Sequence, residues 1–186
     1  MSESFITTLY GDISPTVFAK ATQTQLLICD VDGVFSDGRI YLGNAGEELK
    51  AFHTRDGFGI KALARHQIGV AIITGRQSQL VENRMHQLEV AYIYQGQHNK
   101  LDALAQLLQR TGLTAEQCAY IGDDVVDLNV MRQVGLSIAV HDAHPKVTHA
   151  ADYTTHLPGG FGAVREVCDL LLQAHGIDDY TQGASL

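Results

Sequence analysis

The sequence predicts an α/β protein on a doubly wound, Rossmann-like parallel sheet, with an inserted β-hairpin and no large cap domain. Three observations carry that expectation. Short apolar runs at residues 25–29, 69–73, 91–94, 118–121 and 137–140 are bounded by turn residues and alternate with helical patterns, as buried parallel strands do. Two of these runs end in clustered aspartates: Asp30-Val31-Asp32-Gly33-Val34 follows the first, and Gly122-Asp123-Asp124, with Asp127 close behind, follows the fourth. Residues 39–53 alone break the alternation, with two strand-like segments around a glycine-containing turn.

Taken in order, residues 1 to about 23 mix polar and apolar side chains and end in Thr22-Gln23-Thr24, which suggests one short helix packed on the body. Residues 58–66 place Ile60, Leu63 and Ala64 on one helical face, and residues 77–88 group Val81, Met85 and Leu88. Residues 100–110 repeat Leu101, Leu104, Ala105 and Leu108. Each pattern has the spacing of an amphipathic helix that packs on a core. Arg39-Ile40-Tyr41-Leu42 and the segment from Glu48 to His53 flank Gly43-Asn44-Ala45-Gly46 and read as a hairpin. An isolated hairpin is marginal in water, so this one is either a flap over a site or a pairing surface for another subunit. A late helix carrying Val164, Val167, Cys168 and Leu171 follows Gly159-Gly160-Phe161-Gly162, and Gly176 to Leu186 is a polar tail. We read residues 1–186 as a single domain, with 1–23 an extension, 39–53 an oligomerising hairpin and 176–186 the tail.

Composition narrows the class. Hydrophobic residues make up 45% and charged residues 18%, which suits a globular core. A net charge of −8 disfavours nucleic-acid or acidic-membrane partners. Cys29, Cys118 and Cys168 sit far apart in apolar contexts and fit neither a disulfide framework nor a zinc site. Met1-Ser2-Glu3-Ser4-Phe5 lacks a basic region and an apolar core of signal type. A cytoplasmic protein is expected.

In an open parallel sheet the ligand site lies beyond the carboxyl ends of the strands. That places Asp30, Asp32, Thr74 and Asp123 on one edge. One aspartate pair alone is equally a turn or helix cap; two clusters on one edge read as a divalent-metal site for phosphoryl transfer. Asp30 can attack phosphorus, and Asp32 can protonate the leaving alcohol and then deprotonate water. Thr74 and the Gly75 N–H can hold a phosphate oxygen, and Lys100 can neutralise charge on phosphate and nucleophile. The competing roles are an N-cap threonine and a solvent lysine. Asp124 or Asp127 can support the metal's water or Lys100. Arg55 and Arg76 are candidates for substrate contact or surface ion pairs. His141 and His144 flank Asp142 without a helix to align them, and Gly159 to Gly162 can either cradle phosphate or simply open the following helix.

Asp30-Val31-Asp32-Gly33-Val34, Thr74 after a strand, Lys100, and Gly122-Asp123-Asp124 with Asp127 resemble, in this order, the haloacid dehalogenase superfamily of aspartate-nucleophile phosphatases. The resemblance covers residues 25 to 168 and implies Mg²⁺ held by the Asp30 carboxylate, the Asp32 main-chain carbonyl and Asp123. Asp37-Gly38, the hairpin, the segment Phe52 to Lys61 and the late Gly159 to Glu166 further resemble the capless branch that acts on 3-deoxy-D-manno-octulosonate 8-phosphate. That branch implies lipopolysaccharide synthesis and a homotetramer in which hairpins associate and neighbouring subunits cover each site. A nine-carbon acidic sugar phosphate is the alternative substrate. A noncatalytic phosphate-binding regulatory module is the alternative class. It does not need both aspartates of the first motif.

Overall fold

The computed structural model describes residues 5–178. Its first element is an antiparallel hairpin, β1 (Ile6–Thr8) with β2 (Gly11–Ile13). Helix α1 (Pro15–Gln23) follows, with the Ser14 side chain accepting the Val17 N–H and Pro15 at its first position, where a missing N–H costs nothing. Then come β3 (Leu26–Cys29), the short strands β4 (Tyr41–Leu42) and β5 (Glu48–Leu49), and α2 (Thr54–Arg65). The alternation continues with β6 (Gly69–Ile73), α3 (Gln79–Gln87), β7 (Tyr92–Tyr94), α4 (Lys100–Thr111) and β8 (Cys118–Gly122). It closes with α5 (Leu128–Met131), β9 (Leu136–Ala139), α6 (Pro145–Ala150), β10 (Tyr153–Thr154) and α7 (Ala163–Ala174).

Six strands form the expected parallel sheet in the order β10-β9-β8-β3-β6-β7. Strand β3 lies between β8 and β6, with Cys29 in register with Ile121 on one side and Ile72 on the other. The residues that follow these three strands therefore leave the sheet at one edge. Both faces are covered. Leu27, Cys29 and Ile72 pack with Ile60, Leu63, Val81 and Met85 of α2 and α3 and with Val164, Val167 and Leu171 of α7. Ile28, Ala71 and Ile73 pack with Ala103, Leu104 and Leu107 of α4 and with Val130 and Val147. Burial on both sides is what makes the strands read as continuous apolar runs.

The structure adds to or departs from the sequence reading at four places. The N-terminal segment is a hairpin plus a helix, because Gly11 takes φ +126° at the turn, a conformation that leaves no periodic trace in sequence. The edge strand β10 is two residues long, too short for a pattern. Ala64 and Ala105 are exposed; the buried faces of α2 and α4 use Ala62 and Ala103 with Leu107 instead. Gly160 does not cradle phosphate: its N–H donates to the Val34 carbonyl at 2.9 Å, and a Cβ at Gly159 or Gly160 would collide with the backbone of residues 33–37. The three cysteines are buried and unpaired, as read. Most of the tail from Gly176 to Leu186, and Met1 to Ser4, lie outside the described residues.

Candidate active site

Asp30 is the first residue past β3. Its N–H still donates to the Ile121 carbonyl of β8 (3.1 Å), and its Oδ1 accepts the Val31 N–H at 2.7 Å. The chain then turns tightly, with the N–H groups of Val34, Phe35 and Ser36 all directed at the Val31 carbonyl. Gly33 sits in that turn at φ +86°, and the Asp123 carboxylate occupies the space a Cβ would need. The glycine is thus what lets the two acidic clusters meet.

Lys100 opens α4, whose end is capped by the Asn99 side chain. It is 6% exposed. Its Nζ lies 2.9 Å from Asp30 Oδ2, 2.7 Å from Asp127 Oδ1 and 3.2 Å from the Tyr120 hydroxyl. The Tyr120 hydroxyl donates to Asp127 Oδ1 (2.6 Å), and Asp127 Oδ2 accepts the N–H groups of Asp123 (3.0 Å) and Asp124 (3.2 Å). A carboxylate offers about four acceptor positions, and all of those on Asp127 are taken. Carboxylate oxygens of Asp30, Asp123 and Asp127 lie within 4.8 Å of one another, but only Asp30 and Asp123 have lone pairs free for a cation. Asp127 instead fixes Lys100 and the Asp123 backbone.

The electrostatics fit that assignment. Burial, reinforced by the charges of Asp30, Asp127 and Asp124, pushes Asp123 up to about 7. Burial raises Asp30 to about 6 against the opposing pull of Lys100. Burial also disfavours the Lys100 ammonium, yet the Asp30 and Asp127 charges outweigh it and hold its pKa above the ordinary value. A buried and a half-buried carboxylate facing each other resist joint ionisation unless a cation lies between them. An all-oxygen donor set suits a hard divalent ion such as Mg²⁺.

The residues open into a cleft of about 400 Å³. Asp30, Asp32, Thr74, Gly75, Arg76, Lys100, Asp123 and Asp124 line it, so most of the predicted set is brought together. Thr74 continues the sheet past β6: its N–H donates to the Tyr94 carbonyl (2.9 Å) and its carbonyl accepts the Gln97 N–H (3.0 Å). The Asp124 side chain caps the short turn at Val125. Arg55 is exposed at the start of α2, 3.3 Å from His53 Nε2, and is not among the residues that line the cleft. His144 caps α6, and Asp142 is tied to the Gly159 N–H (2.9 Å).

The hairpin supplies residues the sequence reading passed over. Lys50 Nζ pairs with Asp32 Oδ1, and Glu48 faces Arg76 at 3.7 Å. The signal was present: Glu48, Lys50 and Phe52 alternate with Leu49 and Ala51, the two-residue period that puts the first three on one face.

Comparison with known proteins agrees with this geometry. The haloacid dehalogenase-like hydrolase family matches residues 88–159. The 3-deoxy-D-manno-octulosonate 8-phosphate phosphatase KdsC of Escherichia coli K12 is 55% identical over 181 residues, covering 97% of this chain and 96% of that protein. A crystal structure of the Yersinia pestis phosphatase of the same name superposes with a TM-score of 0.93 at 53% identity, covering 95% of each chain. The Moraxella catarrhalis phosphatase, solved with magnesium, phosphate and the sugar acid KDO, gives a TM-score of 0.85 at 44% identity over 87% of this chain and 94% of that one. The chain belongs to the haloacid dehalogenase-like hydrolases, in the branch formed by these octulosonate phosphatases.

Proposed function

We propose that the protein is a Mg²⁺-dependent phosphatase that hydrolyses 3-deoxy-D-manno-octulosonate 8-phosphate to the free sugar acid and phosphate, in lipopolysaccharide biosynthesis. The observation that carries this reading is Asp30 at the end of β3, ion-paired to a buried Lys100 and facing Asp123, in a chain 55% identical to named phosphatases of that substrate. Asp30, Asp123 and the main-chain carbonyl of Asp32 would hold Mg²⁺, which supplies charge neutralisation for the phosphoryl oxygens when bound.

The chain's own residues divide the chemistry. An Asp30 carboxylate oxygen attacks phosphorus. As the bond from phosphorus to the sugar oxygen breaks, its electron pair stays on that oxygen, which takes the proton of Asp32. A water then loses a proton to Asp32 and attacks phosphorus, and the bond from phosphorus to Asp30 breaks to restore the free carboxylate. Lys100 offsets charge on the nucleophile throughout. The Thr74 hydroxyl and the Gly75 N–H hold a phosphoryl oxygen. Arg76, half-exposed at the mouth, meets the acidic sugar.

The acting form in this reading is a cytoplasmic homotetramer assembled through the β4–β5 hairpin, which supports that role by exposing Tyr41 (52%), Leu42 (75%) and Leu49 (63%). Among the described residues no helix is long and apolar enough to cross a membrane. The test is phosphate release from the sugar phosphate. We expect activity with Mg²⁺, silence in excess chelator, restoration by Mg²⁺ and no turnover by Asp30→Asn. Full activity in excess chelator overturns the site.

A further inference from the structure

The hairpin reaches the chemistry of its own chain through one side chain. Lys50 follows β5, its side chain is fully shielded from solvent, and its Nζ pairs with Asp32 Oδ1. The other Asp32 oxygen lies 3.7 Å from Arg76 Nε. Glu48 joins the two cations, 3.7 Å from Lys50 Nζ and 3.7 Å from Arg76, and accepts the Ser78 hydroxyl at 3.2 Å. Ser78 is itself anchored, its N–H donating to Gln95 Oε1 at 2.9 Å. Asp32 is therefore held on both oxygens by a closed ring of charges that includes Glu48 and Arg76. Its carboxylate lines the cleft yet stays out of the cluster formed by Asp30, Asp123 and Asp127.

We infer that Lys50 is a positioning residue for the reaction: by pairing with Asp32 it points that carboxylate at the leaving-group oxygen and away from the metal corner. This rests on the proposed role of Asp32 as the group that gives its proton to the leaving alcohol. A charge-assisted bond from a shielded lysine is strong enough to select one carboxylate orientation. A proton donor misplaced by about an ångström forfeits most of its effect.

The leaving group gives the test. An alkoxide needs a proton as it departs, whereas p-nitrophenolate does not. Single-turnover release with enzyme in excess reads only the first chemical step. In Lys50→Met, release of the sugar acid should fall by about 100-fold, at the low end of what a positioned acid contributes, while p-nitrophenolate release should fall by less than about fivefold. Lys50→Arg, which keeps a cation over Asp32, should stay within about fivefold of wild type on both substrates. Asp32→Asn is the reference and should show the same split as Lys50→Met.

An equal loss on both substrates in Lys50→Met, or no loss on either, while Asp32→Asn shows the split, overturns the role of Lys50 and leaves that of Asp32 standing. Absence of the split in Asp32→Asn overturns both. A wild-type enzyme silent on the sugar phosphate but active on the aryl ester overturns the substrate reading, and the split is then read on glycerol 2-phosphate, whose leaving group is also an unactivated alcohol.

Discussion

Among the described residues two hairpins lie outside the central sheet, and they are fastened in different ways. The β1–β2 hairpin is held by burial and by hydrogen bonds to α7. Ile13 is 5% exposed in the core, the Tyr10 hydroxyl reaches Asp169 of α7 at 2.9 Å, and Gln173 of the same helix donates to the Thr7 carbonyl at 3.2 Å. The β4–β5 hairpin turns its apolar side chains outward and is fastened by charges, Lys50 to Asp32 and Glu48 to Arg76. Apolar contacts resist salt and cost stability when removed. A half-exposed pair such as Arg76 with Glu48 contributes little to stability, and the shielded Lys50 serves to hold Asp32. The same local motif therefore serves the fold at one end of the chain and the site at another.

The comparison breaks most visibly if the second hairpin carries no function. Leu42→Asp with Leu49→Asp should lower the molecular mass in solution without changing secondary structure. Turnover of the sugar phosphate should drop about tenfold more than that of a small phosphate ester, the loss of roughly one substrate contact. Light scattering at micromolar concentration with paired kinetics checks this. A wild-type monomer fully active on the large substrate removes the distinction.

The first hairpin should behave conversely. Ile13→Ala should cost about 2–3 kcal/mol of unfolding free energy, and Tyr10→Phe about 1 kcal/mol, with turnover per folded molecule unchanged. Denaturant melts beside steady-state rates decide it. A loss of turnover without a loss of stability would reverse the assignment.

A smaller effect sharpens the comparison at the joint between the two regions. Helix α2, which leaves the site hairpin, packs on α7, which anchors the first hairpin. At that joint Asp56 is fully buried, with Oδ1 accepting the Arg165 N–H at 2.8 Å and Oδ2 without a hydrogen bond among the described residues. Burial pushes Asp56 up to about 6. The folded state therefore keeps the proton where the unfolded chain releases it, near 3.9. Stability is intact below about pH 4, declines as pH rises toward 6, and stays reduced above. Asp56→Asn should flatten that decline and exceed wild type by about 1 kcal/mol at pH 7, measured by urea melts from pH 4 to 8. Parallel curves for the two proteins would dismiss Asp56 as the source.

How far each region could be read in advance follows from its fastening. Strands β3, β6 and β8 are legible because burial on both faces writes unbroken apolar runs, and Asp30, Thr74 and Asp123 are legible because they close those runs. Lys100 is legible only with the aspartates, since a lysine opening a helix is otherwise unremarked. The β1–β2 hairpin is not legible: its pairing covers three residues per strand and depends on a helix more than 150 positions away. Lys50 is legible only in part: the two-residue alternation groups it with Glu48 on one face, but nothing in the sequence names its partner. Its partner, Asp32, is 18 residues distant and no periodicity links them. Arg55 is the reverse case, a residue that chemistry recommends and that stands exposed at the start of α2.

The shortness of β4 and β5 bears on speed. A cap domain closes and opens as a rigid body on the microsecond-to-millisecond scale, and such gating sets the pace of many enzymes. Among the described residues, the chain has no cap domain, and the hairpin tied to Asp32 and Arg76 is a pair of two-residue strands. Segments of that size rearrange within nanoseconds to microseconds, far faster than a common turnover of about ten per second. Substrate and product can then exchange without waiting for the protein. On this reading the slow step is expected at the bonds to phosphorus.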